Sequence, residues 1–153
     1  MIRWIAAYLA AGLVFIAADL TWITLTGPVI YQPVIGQLMS GSVDLKAGVA
    51  FYLIYLVGVM AFGVSAGLRA RAWTSASGWG ALFGLVAYAT YDLTNQATLK
   101  VWSTRLTLMD VAWGAFVTGV ASSVGYAVAS RLARTTATVG PFGAHGAKDR
   151  HRR

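Results

Sequence analysis

Three aspartates set the chemistry this chain can do. Asp19, Asp92 and Asp110 each fall inside a long apolar stretch. A carboxylate near a membrane centre costs roughly 2.5–3.5 kcal/mol on insertion scales. Residues kept against that cost serve a binding site, a proton or cation relay, or an interhelical hydrogen bond. Asp19-Leu20-Thr21-Trp22 and Asp110-Val111-Ala112-Trp113 repeat one pattern, Asp-x-x-Trp. Asp92 and Asn95 put two oxygen-bearing side chains on one helical face. Upstream, Gly80, Gly84, Tyr88 and Asp92 make a single i, i+4 row, with Tyr91 and Asn95 beside it.

These residue types suit a polar head group held by Asp19, Asp92 and Asn95. Tyr88, Tyr91, Trp22 and Trp113 would form its walls, with Asp110 at the same level. A desolvated carboxylate there can act as acid or base. The spans contain no His, Cys or Glu and no recognisable triad, so no catalytic residue is assigned. Carboxylate and amide oxygens favour hard cations, but the scattered ligands are too few for a metal site. No cofactor is expected either, since there is no Gly-rich phosphate loop, Rossmann fingerprint or HExxH motif. His145 and His151 lack the four convergent ligands of a structural zinc site. If the Asp-x-x-Trp helices run antiparallel, Trp113 meets Asp19 and Trp22 meets Asp110, each indole N–H donating to a carboxylate. The ordinary alternative is two interfacial tryptophans. Phe51, Tyr52 and Tyr55 read as interfacial belt or packing, and Gly80 and Gly84 as a helix-packing pair.

The elements that must position them are transmembrane helices. The chain has 153 residues, 58% hydrophobic and only 11% charged, against roughly 25% charged in a soluble domain. Four apolar spans are expected at about residues 4–25, 47–68, 77–99 and 108–130, each near the ~20 residues that cross a bilayer. The fold class is therefore all-α, a four-helix transmembrane bundle with short loops in one domain, residues 1–134. Ile16 spoils the small-x-small pattern of a signal cleavage site before Ala18, so the first helix is expected to stay uncleaved. Pro28, Pro33, Gly36 and Gly41 are expected to break regular structure between the first two spans, leaving a loop along the membrane surface. Residues 135–153 read as a basic, disordered cytoplasmic tail.

Charge gives the orientation. Arg3, Arg69, Arg71, Arg131, Arg134, Lys148, Arg150, Arg152 and Arg153 fall on one side, Lys46, Lys100 and Arg105 on the other. The positive-inside rule places both termini in the cytoplasm. The net charge of +7 thus answers to topology and anionic lipid, not to nucleic acid. Asp19 and Asp92 each lie fifteen residues beyond the start of an outward-running span, about 22 Å across. Asp110 enters from the opposite side, two residues into its span, so all three carboxylates share the outer half.

The stretch from Gly84 to Asn95, then Trp102 and Asp110-Val-Ala-Trp-Gly114, resembles a bacterial family of predicted membrane proteins, domain of unknown function 2177. Ala18 to Trp22 and the Phe51-Tyr52 pair are similar to it as well, and the likeness runs from about Trp4 to Leu132. It implies a compact four-helix protein of the bacterial inner membrane and carries no activity with it. Three function classes remain open: binding or modifying a lipid or small amphiphile, proton- or cation-coupled transport, and non-catalytic assembly. The last would use the Gly80–Gly84 face or Ala115, Gly119 and Ser123 for a second copy or a membrane-protein partner. Membrane lipids are the expected partners throughout.

Overall fold

Apolar stretches of this length fold as helix because hydrocarbon offers no partner to a backbone N–H or C=O. The computed structural model describes residues 1–138. Four helices follow in order: α1 (Ile2–Leu38), α2 (Leu45–Ala70), α3 (Trp73–Thr98) and α4 (Thr104–Thr138). Every element among the described residues is helical. The protein is an all-α membrane bundle. By length and composition, α1, α2 and α4 can each cross a membrane. Helix α3 is 26 residues long but has no stretch as apolar as theirs, with a run of threonines whose hydroxyls bond back to the preceding turn. Thr90 donates to the Val86 carbonyl at 2.7 Å, Thr94 to Thr90 at 2.6 Å and Thr98 to Thr94 at 2.8 Å. Helix α4 runs through Thr138, into the stretch assigned to the tail. The remainder of that tail, with His145 and His151, lies outside the described residues.

Two expectations about helix ends are corrected. Gly27-Pro28 does not stop α1. The chain widens into one π turn, Gly27–Tyr31, where the Gln32 N–H reaches the Gly27 carbonyl. A wider turn accommodates the missing proline N–H, and the Thr26 hydroxyl takes up the Trp22 carbonyl at 2.6 Å. A short α segment, Gln32–Ile35, and a 3-10 turn, Gly36–Leu38, complete the helix. Only residues 39–44 are irregular, and they end where the Asp44 carboxylate caps α2 by accepting the N–H of Lys46 at 2.9 Å and Ala47 at 3.2 Å. Helix α4 likewise starts earlier than expected, at Thr104. The Ser103 hydroxyl caps it, accepting the Leu106 N–H at 3.2 Å. Asp110 therefore lies well inside the helix, past the first turn where the helix dipole would favour it.

Packing is closest where side chains vanish. A Cβ on Gly80 would fall 2.6 Å from Ser122 Cβ and 3.0 Å from the Thr118 carbonyl. One on Gly84 would sit 2.7 Å from Thr118 Cβ and collide with the Gly114 carbonyl. This glycine row presses α3 onto α4 and is spent inside the chain. Gly119 also faces α3, 3.2 Å from the Ser77 carbonyl by the same measure. Gly80, Gly84 and Gly119 thus face the bundle interior, while Ala115 and Ser123 are half-buried. Below the aspartates the interior is mainly apolar, built from Ala11, Phe15, Leu56, Val59, Val64, Val117 and Ala121, with the hydroxyls of Tyr55, Thr118 and Ser122 buried among them. The Phe15 and Tyr55 rings stack there at 4.8 Å.

Candidate functional site

Antiparallel packing of α1 and α4 brings the Asp-x-x-Trp motifs to one level. Trp22 and Trp113 stack with centroids 4.5 Å apart and planes 8° apart. Trp113 Nε1 lies 3.4 Å from Asp19 Oδ1. Two phenols complete the shell of Asp19. Tyr52 of α2 donates to Oδ2 at 2.9 Å, and Tyr88 of α3 to Oδ1 at 3.3 Å. One carboxylate on α1 thus draws a donor from each of the other three helices. Gly114 makes room for the last of them, because a Cβ there would strike the Tyr88 ring.

Asp110 is held differently. The Tyr31 hydroxyl donates to Asp110 Oδ1 in a short hydrogen bond and accepts from Trp22 Nε1 at 3.0 Å. Trp22 therefore reaches Asp110 through a phenol and not directly. The π turn in α1 makes this possible, since it carries the helix on to Tyr31, nine residues past Trp22.

Asp92 completes the group and has no such shell. Its side chain is fully buried, and neither carboxylate oxygen has a hydrogen-bond partner. Asp110 lies within Coulombic reach of both Asp19 and Asp92. An uncompensated carboxylate in so dry a setting costs several kcal/mol. No group of three acidic or histidine side chains among the described residues converges as metal ligands do.

A family model described as "Predicted membrane protein (DUF2177)" matches residues 4–127, a stretch that holds all three aspartates and every donor named above. The chain belongs to this family. No curated protein and no solved structure matches it. The family's description extends to the membrane and no further, so any activity must be argued from the side chains.

Of the residues singled out by type and spacing, Asp19, Trp22, Tyr88, Asp110 and Trp113 meet in one hydrogen-bonded and stacked cluster. Asp92 lies beside it, unpartnered. Tyr91 turns away, 58% exposed and edge-on to Trp102 at 5.8 Å. Asn95 is half-buried next to Tyr91 and makes no hydrogen bond to the carboxylates. Tyr31 and Tyr52 were not expected as site residues. The signal that could have found them is stoichiometric: buried carboxylates need donors, and phenols are the neutral donors available at this depth.

The cluster itself is closed. Asp19 is 6% and Asp110 7% exposed. A groove of about 410 Å³ opens nearby, walled by Gln32, Pro33 and Val34 on one side and Val101 and Ser103 on the other. Gln32 follows Tyr31 directly in the chain, while neither Tyr31 nor an aspartate lines the groove.

Proposed function

We propose that this protein binds a lipid or small amphiphile through the polar cluster formed by Asp19, Asp92 and Asp110 in the outer half of the bundle. The bacterial inner membrane is its setting and both termini are cytoplasmic. The observation that carries this reading is Asp92, fully buried with both oxygens unpartnered beside two carboxylates that have donors, three for Asp19 and Tyr31 for Asp110. A carboxylate serving only to fix helix packing finds its donors in the protein, as Asp19 does. One that lacks them is kept for something that arrives.

Transport fits less well. Beneath the carboxylates the core is Phe15, Tyr55, Leu56, Val59, Val64, Val117 and Ala121; among the described residues its polar groups are the hydroxyls of Tyr55, Thr118 and Ser122, with no carboxylate, amine or imidazole to pass a proton or cation onward. A membrane amphiphile needs no such path, because its head enters sideways from the lipid and its chain stays there.

Native mass spectrometry of protein extracted in a mild detergent tests the proposal. Wild type should carry a discrete amphiphile mass, depleted about ten-fold in Asp92→Asn and Asp19→Asn. The same adduct at the same occupancy in all three proteins overturns it.

A further inference from the structure

We infer that the head group this site takes is an organic ammonium, an inference that rests on the amphiphile reading and names its chemistry. Charge balance is the first ground. Every donor hydrogen-bonded to Asp19 and Asp110 is neutral: Tyr52, Tyr88 and Trp113 for the first, Tyr31 for the second. Asp92 has no donor at all. Three buried carboxyl groups served only by phenols and an indole have no positive partner here, so whichever of them ionises favours a cationic head and disfavours phosphate, sulfate and carboxylate heads.

Geometry then separates the kinds of cation. A bare Mg²⁺ or Ca²⁺ needs oxygens converging to about 2.0–2.6 Å, and no three acidic groups among the described residues come together that way. An ammonium carries its positive charge over a larger shell of N–H or N–CH₃ groups and can face carboxylates that lie several ångströms apart. The aromatic rings point the same way. Tyr31, Tyr88, Trp22 and Trp113 border the cluster through neutral O–H and N–H groups, so none of them supplies the positive charge that an ammonium would bring. Tyr31, the donor to Asp110, is followed in the chain by Gln32, which lines the groove.

Equilibrium dialysis of the full chain in neutral maltoside micelles, with empty micelles as blank, tests this. The probes are decylamine, decanol, decyl phosphate and the chainless ethylamine. Decylamine should saturate at one per chain and bind at least about ten-fold more tightly than decanol or decyl phosphate. Asp92→Asn should remove most of that advantage and leave decanol unchanged. Decanol or decyl phosphate binding as tightly as decylamine overturns the ammonium assignment and spares the amphiphile site. Ethylamine binding as tightly as decylamine upholds the ammonium and overturns the amphiphile. Undiminished decylamine preference in folded Asp92→Asn and Asp110→Asn places the binding elsewhere and overturns the inference. Because the wild-type probe series decides alone, a variant that fails to fold leaves the test standing.

Discussion

Trp22 and Trp113 lie face to face at 4.5 Å, and their N–H groups serve different carboxylates. Trp113 turns to Asp19 directly, and Trp22 turns to Asp110 through the Tyr31 hydroxyl. The stack thereby ties the middle of α1 to the first third of α4 and couples the two carboxylates through one pair of rings. Stacked aromatic pairs are worth about 0.5–1.5 kcal/mol beyond their buried area. The larger stake lies in the polar groups at their edges.

Removing Tyr31's hydroxyl should cost more than removing Tyr52's. Tyr31→Phe strips Asp110 of its recorded donor and leaves the Trp22 N–H without an acceptor. Tyr52→Phe leaves Asp19 with Tyr88 and Trp113. A buried group left unsatisfied costs about 1–3 kcal/mol, which in a protein of this size lowers the unfolding midpoint by several degrees. Thermal unfolding in detergent should therefore rank wild type above Tyr52→Phe and Tyr52→Phe above Tyr31→Phe. The reverse order would mean that Asp110 draws no support from Tyr31.

Asp92 and Asp19 should respond oppositely to the same change. Asp19→Asn sets an amide N–H₂ against the phenol and indole donors that now converge there, and destabilises the bundle. Asp92→Asn replaces a carboxyl that no protein group hydrogen-bonds, so it should be neutral or raise stability by about 1–3 kcal/mol. Sites kept for binding store this kind of cost. Paired unfolding curves check it: a loss in Asp92→Asn as large as in Asp19→Asn would show that the protein does satisfy the Asp92 carboxylate.

The sequence made the bundle and the depth of its acids legible for simple reasons. Apolar runs of membrane length have one backbone solution, and a rise of 1.5 Å per residue converts position into depth. Matching the Asp-x-x-Trp motifs across antiparallel helices was enough to bring Trp113 to Asp19. The contribution of Tyr31 was hidden because Gly27-Pro28 reads as a stop, and whether a proline ends a helix or is absorbed by a π turn depends on side chains that rescue the freed carbonyls. Tyr91 and Asn95 misled in the opposite way. Their spacing puts them beside Asp92, but a helical face is broad, and the edge nearest Trp102 faces outward.

The glycine row should tolerate no methyl group. Gly80→Ala and Gly84→Ala each push a Cβ into α4 at Ser122, Thr118 or the Gly114 carbonyl, where backbone cannot give way. Overpacking of this kind typically costs 1–3 kcal/mol, about what the helix–helix contact can least spare. Gly78 is the control. It lies on the same helix with nothing within 4 Å of a built Cβ, so Gly78→Ala should be neutral or gain up to about 1 kcal/mol from helix propensity. Unfolding midpoints of the three variants provide the comparison, and equal effects at all three positions would place the α3–α4 contact elsewhere.

The orientation can be tested because the chain contains no cysteine. Ser40 is exposed in the connection between α1 and α2, and Thr74 is exposed at the start of α3. If Lys and Arg set the topology, Ser40 lies outside and Thr74 in the cytoplasm. An impermeant thiol reagent applied to intact cells should then label Ser40→Cys and spare Thr74→Cys until the membrane is opened. Labelling of Thr74→Cys alone would invert the bundle and turn the carboxylates toward the cytoplasmic leaflet. The groove at Gln32 and Ser103 would turn with them, since it is built on the same end of α1 and α4, so the leaflet that supplies the ligand follows from this one measurement.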